Sequence, residues 1–321
     1  MNRGRPAFAL GLLVGSALDA VVADPRRGHP VAAFGSAASW AERRLWSDSR
    51  ARGLLLTAAC AGPAAAAGLA AERRAARAHA APTAHAALTA AAAWSVLGGT
   101  SLAAEASQVA VDLRAGDLGA ARRRMPALCG RDPESLDADG LARATVESVA
   151  ENTCDAVVAP LLWGALAGVA GLLGYRAVNT LDAMVGYRTA RYARFGWASA
   201  RLDDLANLVP ARLTALLAVA LAPLVGGSPV GALGAWRRDA AAHPSPNAGR
   251  CEAAFAGALG VRLGGTNVYQ GQPEQRGHLG AGPSPTPRDI MRAVRLSRLI
   301  CVAATALAAI TSWLVPSRWL P

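Results

Sequence analysis

The chain has 321 residues, of which 53% are hydrophobic and only 17% charged, whereas soluble domains carry about 25% charged residues. Its net charge of +11 comes entirely from arginine, because the sequence contains no lysine; a lysine-dependent phosphate loop and a Schiff-base lysine are therefore excluded. Aromatic residues make up 5%, and the arginines are dispersed between apolar segments, which argues against a nucleic-acid surface and for loops beside a membrane.

Six segments approach the roughly 20 apolar residues that a spanning helix needs: 7–23, 54–71, 84–104, 156–174, 209–227 and 299–315. The first follows MNRGRP and has the look of a signal peptide, but Asp19 interrupts it and further spans follow, so a retained helix is expected. The second and third are mostly alanine, and small residues let helices approach closely in lipid. Strand-like alternation is nearly absent. The expected fold is all-α: a polytopic, multi-pass integral membrane bundle with polar helical loops, one domain over 1–321, with the lipid bilayer as its first partner.

The polar stretches hold the candidate chemistry. At the exit of the first span, Asp19, Asp24, Arg26, Arg27 and His29 read as an ordinary membrane-edge loop, with His29 structural. In 141–155, Glu147, Glu151 and Asp155 fall at i, i+4 and i+8, on one helical face with Ser148 and Asn152 alongside. Each neighbouring like-charge pair destabilises a bare helix by about 0.2–0.5 kcal/mol. Either this is a solvated acidic face, with Arg143 as a partner, or a cation neutralises it. The stretch runs directly into VVAPLLW, where charge is expensive, which favours the cation. Mg2+ commonly takes one or two carboxylates plus substrate phosphates.

Segment 156–174 poses a topological question. If it crosses the bilayer, 105–155 and 175–208 lie on opposite sides, although both look like parts of one site; otherwise it is re-entrant or buried in the bundle, or the polar residues of 175–208 sit at membrane depth. In 175–213, Asn179 and Asp182 share a helical face, and Asp203, Asp204 and Asn207 form a second polar group, interleaved with Arg176, Arg188, Arg191, Arg194 and Arg201. Salt-bridge lacing and a site facing the bundle both account for this pattern, and Tyr175, Tyr187 and Tyr192 suit interfacial anchors. Farther on, Ser245, Pro246, Asn247 and Gly249 suggest a turn opening a helix, capped by Ser245 or Asn247 with Glu252 in its first turns. Such an N-terminus suits a phosphate as well as an ordinary cap. Gly264 and Gly265 are expected to end that helix, and the Pro/Gly-rich stretch 273–287 to be a mobile loop. Five cysteines form no CxxC pair. From the residues alone, the chain is a membrane protein with acidic and arginine-rich polar stretches that handles an anionic or metal-bound substrate.

The run GRDPESLDADGLARATVESVAENTCDAVVAPLLW, followed by YRAVNTLDAMVGYR, SARLDDLANLVPARL and SPNAGRCEAAFAGALGVRLGG, resembles the adenosylcobinamide-phosphate synthase family, CobD/CbiB, over about residues 15–295. Pro133 and Leu208 depart from the family pattern, and neither change removes a charged group. The resemblance implies joining of aminopropanol, as its O-phosphate, to the free propionate of adenosylcobyric acid. It also implies ATP and Mg2+, an acyl-phosphate intermediate, a corrinoid substrate, a place in the cell membrane and contacts with other cobalamin-assembly enzymes. On that chemistry Asp182, Asp203, Asp204 and Arg188 become the catalytic candidates. Asn152, Asn179, Arg201, Asn207, Ser245, Asn247 and Glu252 become candidates for binding substrate, and Glu147, Glu151 and Asp155 for binding metal. The expectation is that these distant groups converge. The alternatives are a membrane sensor similar to AmpE and a corrinoid or ion transporter.

Overall fold

The structure is a computed structural model that describes residues 4–23, 28–78, 81–187, 189–269 and 272–314, with the side chains of 267–269 and 272–274 set aside. Asp24, Arg26, Arg27 and Arg188 lie outside the described residues. In chain order the helices are α1 (Gly4–Val22), α2 (Pro30–Leu45), α3 (Arg50–Arg77), α4 (Pro82–Val96), α5 (Gly99–Arg114), α6 (Leu118–Arg124) and α7 (Ala138–Thr153). After a π-helical turn at Cys154–Val158 come α8 (Ala159–Val185), α9 (Trp197–Ala206), α10 (Leu208–Leu221), α11 (Pro229–Asp239), α12 (Ala248–Leu259) and α13 (Pro287–Leu314). Between α12 and α13 lies an antiparallel hairpin, β1 (Leu263–Tyr269) and β2 (Gln272–Leu279). Six helical stretches are long and apolar enough to cross a membrane: Arg5–Val22, Arg50–Arg77, Pro82–Arg114, Ala138–Val185, Leu208–Val225 and Pro287–Leu314. The protein is an α-helical, polytopic membrane bundle.

The chain forms two compact units, Met1–Gly98 with Asp155–Asn207 and Ala304–Pro321, and Gly99–Cys154 with Leu208–Ala303. Because the segments interleave, no single cut separates them.

In the first unit, glycine sets the helix contacts. A Cβ on Gly11 would collide with Thr89 Cβ, and one on Gly15 would lie 2.6 Å from Ala93 Cβ, so this Gly-x-x-x-Gly face of α1 packs directly on α4. Asp19 is buried, and α1 runs through it without a break. His29 Nδ1 accepts the Val31 N–H at 3.1 Å and caps α2, a structural role. Leu56, Val185 and Phe195 form a buried core cluster, and Gly53 lets α3 pass over the Phe195 carbonyl.

The segment read as a span at 156–174 is not a straight helix. Ala167 (φ −131°, ψ 17°) and Gly168 (φ 67°, ψ −152°) leave the helical region. A Cβ on Gly164 would meet Leu172 Cδ2 at 2.8 Å, and one on Gly171 would run into the Trp163 carbonyl. Residues eight apart touch only if the chain turns back on itself. The segment is therefore a helical hairpin, not one straight span. A reversal inside an apolar region must satisfy the N–H groups of the returning helix. Glu72 of α3 does so, accepting the Val169 N–H at 2.8 Å, while Gly68 brings α3 against Val169 and Ala170 at the tip.

Two other expectations are corrected in the second unit. The helix after the SPN turn ends at Gly260, in the left-handed region (φ 71°), not at Gly264 and Gly265. Those two instead open β1 with φ of 80° and 88°, where the ladder shifts register between Leu263 and Gly265. The first half of the stretch read as a loop at 273–287 is strand β2, because pairing with β1 satisfies its backbone groups.

Glu72→Ala removes the cap on the returning helix. A loss of about 1 kcal/mol is expected, read as a lower thermal midpoint in detergent, with Glu72→Gln, which keeps a carbonyl acceptor, closer to wild type. Gly168→Ala forces a side chain into a glycine-only conformation and is expected to cost about 1–3 kcal/mol. Midpoints unchanged in both variants would contradict the hairpin.

Candidate functional site

The reversal in α8 returns the chain to the level of Asp155. Asn179 Nδ2 donates to Asp155 Oδ2 and to Asp203 Oδ1, each at 3.3 Å. Asp203 Oδ2 accepts from Asn207 Nδ2 at 3.0 Å, and Asn207 Oδ1 accepts from the Tyr175 hydroxyl at 2.9 Å. Arg176 Nη1 reaches Asn179 Oδ1 at 3.4 Å. Asp203, Asn207 and Tyr175 are buried. The first unit thus holds two carboxylates that share one amide nitrogen, inside a network of amide, phenol and guanidinium donors. Buried polar groups of this kind in a membrane protein are a functional-site signal.

Asp204, one residue from Asp203, is half-buried and pairs with Arg201 at 3.4 Å. Asp182 is half-buried at the end of α8, where its carboxylate packs so closely on Gly186 that a Cβ there would collide with Oδ1. Arg188 lies outside the described residues.

The second unit gathers a different group. Glu147 is buried and pairs with Arg131, and its Oε1 accepts the Gly264 N–H at 2.6 Å. Arg143, one turn earlier on α7, donates to the Gly264 carbonyl and, at 3.0 Å, to that of Thr266. Successive turns of α7 therefore grip the start of β1 by both its N–H and its C=O groups. Gly265 has no side chain because a Cβ would lie 2.9 Å from Arg143 Nη1. Asn152 turns back on its own helix, donating to the Ser148 carbonyl at 2.9 Å and its Oγ at 3.1 Å.

At the start of α12, Ser245 Oγ receives the N–H groups of Asn247 and Ala248 at 3.3 and 3.2 Å. Asn247 occupies the cap position without a side-chain capping bond. Glu252 is not exposed on the first turns; it is buried, with His243 Nε2 3.5 Å from Oε1. His243 Nδ1 faces the Ser245 N–H at 3.0 Å, and Arg276 Nη1 lies 3.1 Å from Nε2. Burial holds the Glu252 carboxyl well above the usual carboxylate range. Glu147 and Glu151 reinforce that shift, and Arg131 and Arg276 oppose it.

Among the described residues, no three or more His, Cys, Asp or Glu side chains are grouped to hold a metal ion. The set Glu147, Glu151 and Asp155 is thus not assembled as a metal centre, and Glu147 is already engaged by Arg131 and Gly264. Burial raises the Cys129 thiol, consistent with an unreactive cysteine.

Sequence reasoning did not single out Tyr175, Arg131, His243, Arg276 or Glu72 for these places. Signals existed for some of them: Arg131 lies in the GRD run, His243 opens HPSPN, and Glu72 is an isolated acid in an alanine-rich helix.

A family model described as CobD/Cbib protein matches residues 12–297. The chain is 54% identical to a cobalamin biosynthesis protein CobD of Mycobacterium tuberculosis (strain H37Rv) over 300 residues, 94% of each chain. It is 48% identical to a protein of the same name from Rhodobacter capsulatus over 206 residues, 64% of each. With one from Geobacter metallireducens it shares 45% identity over 270 residues, 82% of this chain and 83% of the relative. No solved structure matches. With a family match running through both units and identity sustained across nearly the full length of a relative, the chain belongs to the CobD/CbiB family.

Proposed function

We propose that this protein is an amide-forming enzyme of cobalamin assembly, joining aminopropanol O-phosphate to the free propionate of adenosylcobyric acid to give adenosylcobinamide phosphate. What carries the reading is the family membership over residues 12–297, together with relatives named for cobalamin biosynthesis. The partly buried network of Asp155, Asn179, Asp203 and Asn207 supports it, since membrane proteins keep such groups where they act on polar substrates.

A carboxylate does not condense with an amine unaided in water, so the propionate must be activated. In the proposed sequence its oxygen attacks the γ-phosphorus of ATP. An O–P bond forms, the bond to ADP breaks, and an acyl phosphate results. The amine nitrogen then attacks the acyl carbon, the C–O bond breaks and inorganic phosphate leaves, while the proton lost from nitrogen passes to a base. Asp155 and Asp203 are the pair that would hold Mg2+, which supplies neutralisation of the phosphate charge when bound; two carboxylates with substrate phosphates suit that ion. Asn179 and Asn207 fix the direction of those carboxylates. The bilayer is the cell membrane, and a cytoplasmic opening suits ATP and the soluble amine.

Purified protein in detergent is expected to make the amide from adenosylcobyric acid, aminopropanol phosphate and Mg-ATP, with one ADP and one phosphate released per amide. Amide formed without nucleotide would overturn the activation step. No amide under any condition would shift the reading to a sensor.

Asp203→Asn keeps the shape of the network and removes a charge. A fall in kcat of about 10²-fold is expected, the scale of losing one preorganised electrostatic group. Asp204→Asn, half-buried and paired with Arg201 rather than with the Asn179 amide, is expected to stay near wild type in the same assay and to restore growth of a cobalamin auxotroph. Equal effects at the two positions would remove Asp203 from the site.

A further inference from the structure

We infer that Glu252 is the recognition site for the ammonium end of the amine substrate, at the floor of a buried charged cluster in the second unit. The identity of the amine rests on the amide-forming reading above. The site itself rests on Glu252.

Glu252 is 1% exposed, and neither of its carboxylate oxygens accepts a hydrogen bond. Buried carboxylates normally collect donors. The nearest candidate is His243, whose two ring nitrogens face Ser245 N–H at 3.0 Å and Arg276 at 3.1 Å. Whichever tautomer the ring adopts, it offers Glu252 at most one hydrogen bond, across 3.5 Å, for two oxygens.

Charge adds to the deficit. Glu147 and Glu151 add negative potential at Glu252, which Arg131 and Arg276 oppose, and Arg131 is itself paired with Glu147. A positive charge bearing hydrogen-bond donors would satisfy Glu252.

Three occupants can be weighed. A proton neutralises Glu252 but supplies one donor and needs an acceptor of its own. A divalent metal is disfavoured, because the guanidiniums of Arg131 and Arg276 already act on Glu252 and Arg276 sits beside His243. A primary ammonium carries one charge and three N–H donors, which matches both the charge and the bonding deficit. Glu151 and Arg276 are half-buried, so the cluster is not sealed on all sides. Arg276 also places a guanidinium beside the bound amine, suited to an anionic group on the same molecule. His243 is a positioning residue.

The test uses full-length protein in detergent and titrates aminopropanol phosphate calorimetrically, without corrinoid or nucleotide. Wild type is expected to bind it. Glu252→Gln is expected to weaken binding about 10-fold or more, the scale of losing a charge-assisted contact, with the KM for ATP unchanged. Propanediol phosphate, which lacks the amine, should bind both proteins equally and weakly. If Glu252→Gln fails to fold, a carbodiimide reports on wild type: aminopropanol phosphate should protect Glu252 from labelling, read by peptide mass spectrometry, and propanediol phosphate should not. The inference is overturned if wild type does not bind the amine, if Glu252→Gln binds it as tightly, or if no protection is seen. If amine binding depends on Glu252 but no amide is ever formed, the amide-forming reading fails and the site stands. If amide forms with an unaltered KM for the amine in Glu252→Gln, the site fails and the reading stands.

Discussion

The arrangement of the first unit depends on one break in one helix. Asp155 and Asn179 are 24 residues apart, which on a straight helix would separate them by about 36 Å; the reversal at Ala167–Gly168 places them 3.3 Å apart. Breaking a helix in an apolar setting frees backbone groups that lipid cannot satisfy. The sequence compensates locally. Glu72 takes the Val169 N–H, Gly164 and Gly171 let the arms touch, and Gly68 brings α3 onto the tip. Asn179 can bridge two carboxylates because these contacts hold the two arms together.

The second unit meets a different constraint: a short β-hairpin in an otherwise helical protein. Its first strand begins at two glycines in the left-handed region, which leaves backbone exposed to its surroundings. Arg143 and Glu147 bind that backbone from α7, and Arg131 balances Glu147. The ion pair is therefore part of how the strand is anchored. Glu252 makes no such contribution. A buried carboxylate short of donors weakens a fold, and its presence fits a ligand better than a scaffold.

Hydropathy located all six apolar stretches in the sequence, because spanning length and apolar content are one-dimensional properties. It could not show the reversal at 167–168, since a helical hairpin and a straight span have the same apolar composition over 156–174. The acidic periodicity of Glu147, Glu151 and Asp155 was visible, but a shared helical face does not say what each side chain meets. Glu147 meets an arginine and a backbone N–H, and Asp155 meets an amide. The β-hairpin was missed because its strands, LGGTNVY and QPEQRGHL, lack alternating apolar residues; they are held by α7 and by each other.

Asp203 and Asp204 are chemically identical neighbours, and a rotation of about 100° between successive helical residues buries one among amides and leaves the other half-buried beside Arg201. Burial alone does not fix the role of a carboxylate either. Asp203 receives two side-chain amides, which fix its direction before any substrate arrives. Glu252 receives none, and burial, reinforced by negative neighbours, pushes its carboxyl toward the protonated form. A group of the first kind suits a task needing constant geometry, such as holding a phosphate-bound cation. A group of the second kind becomes favourable as an anion only when a cation is delivered to it, so its ionisation is tied to occupancy. Such coupling discriminates between an amine and its uncharged analogue more sharply than a permanently ionised, solvated carboxylate, whose charge is screened whether or not a ligand is present.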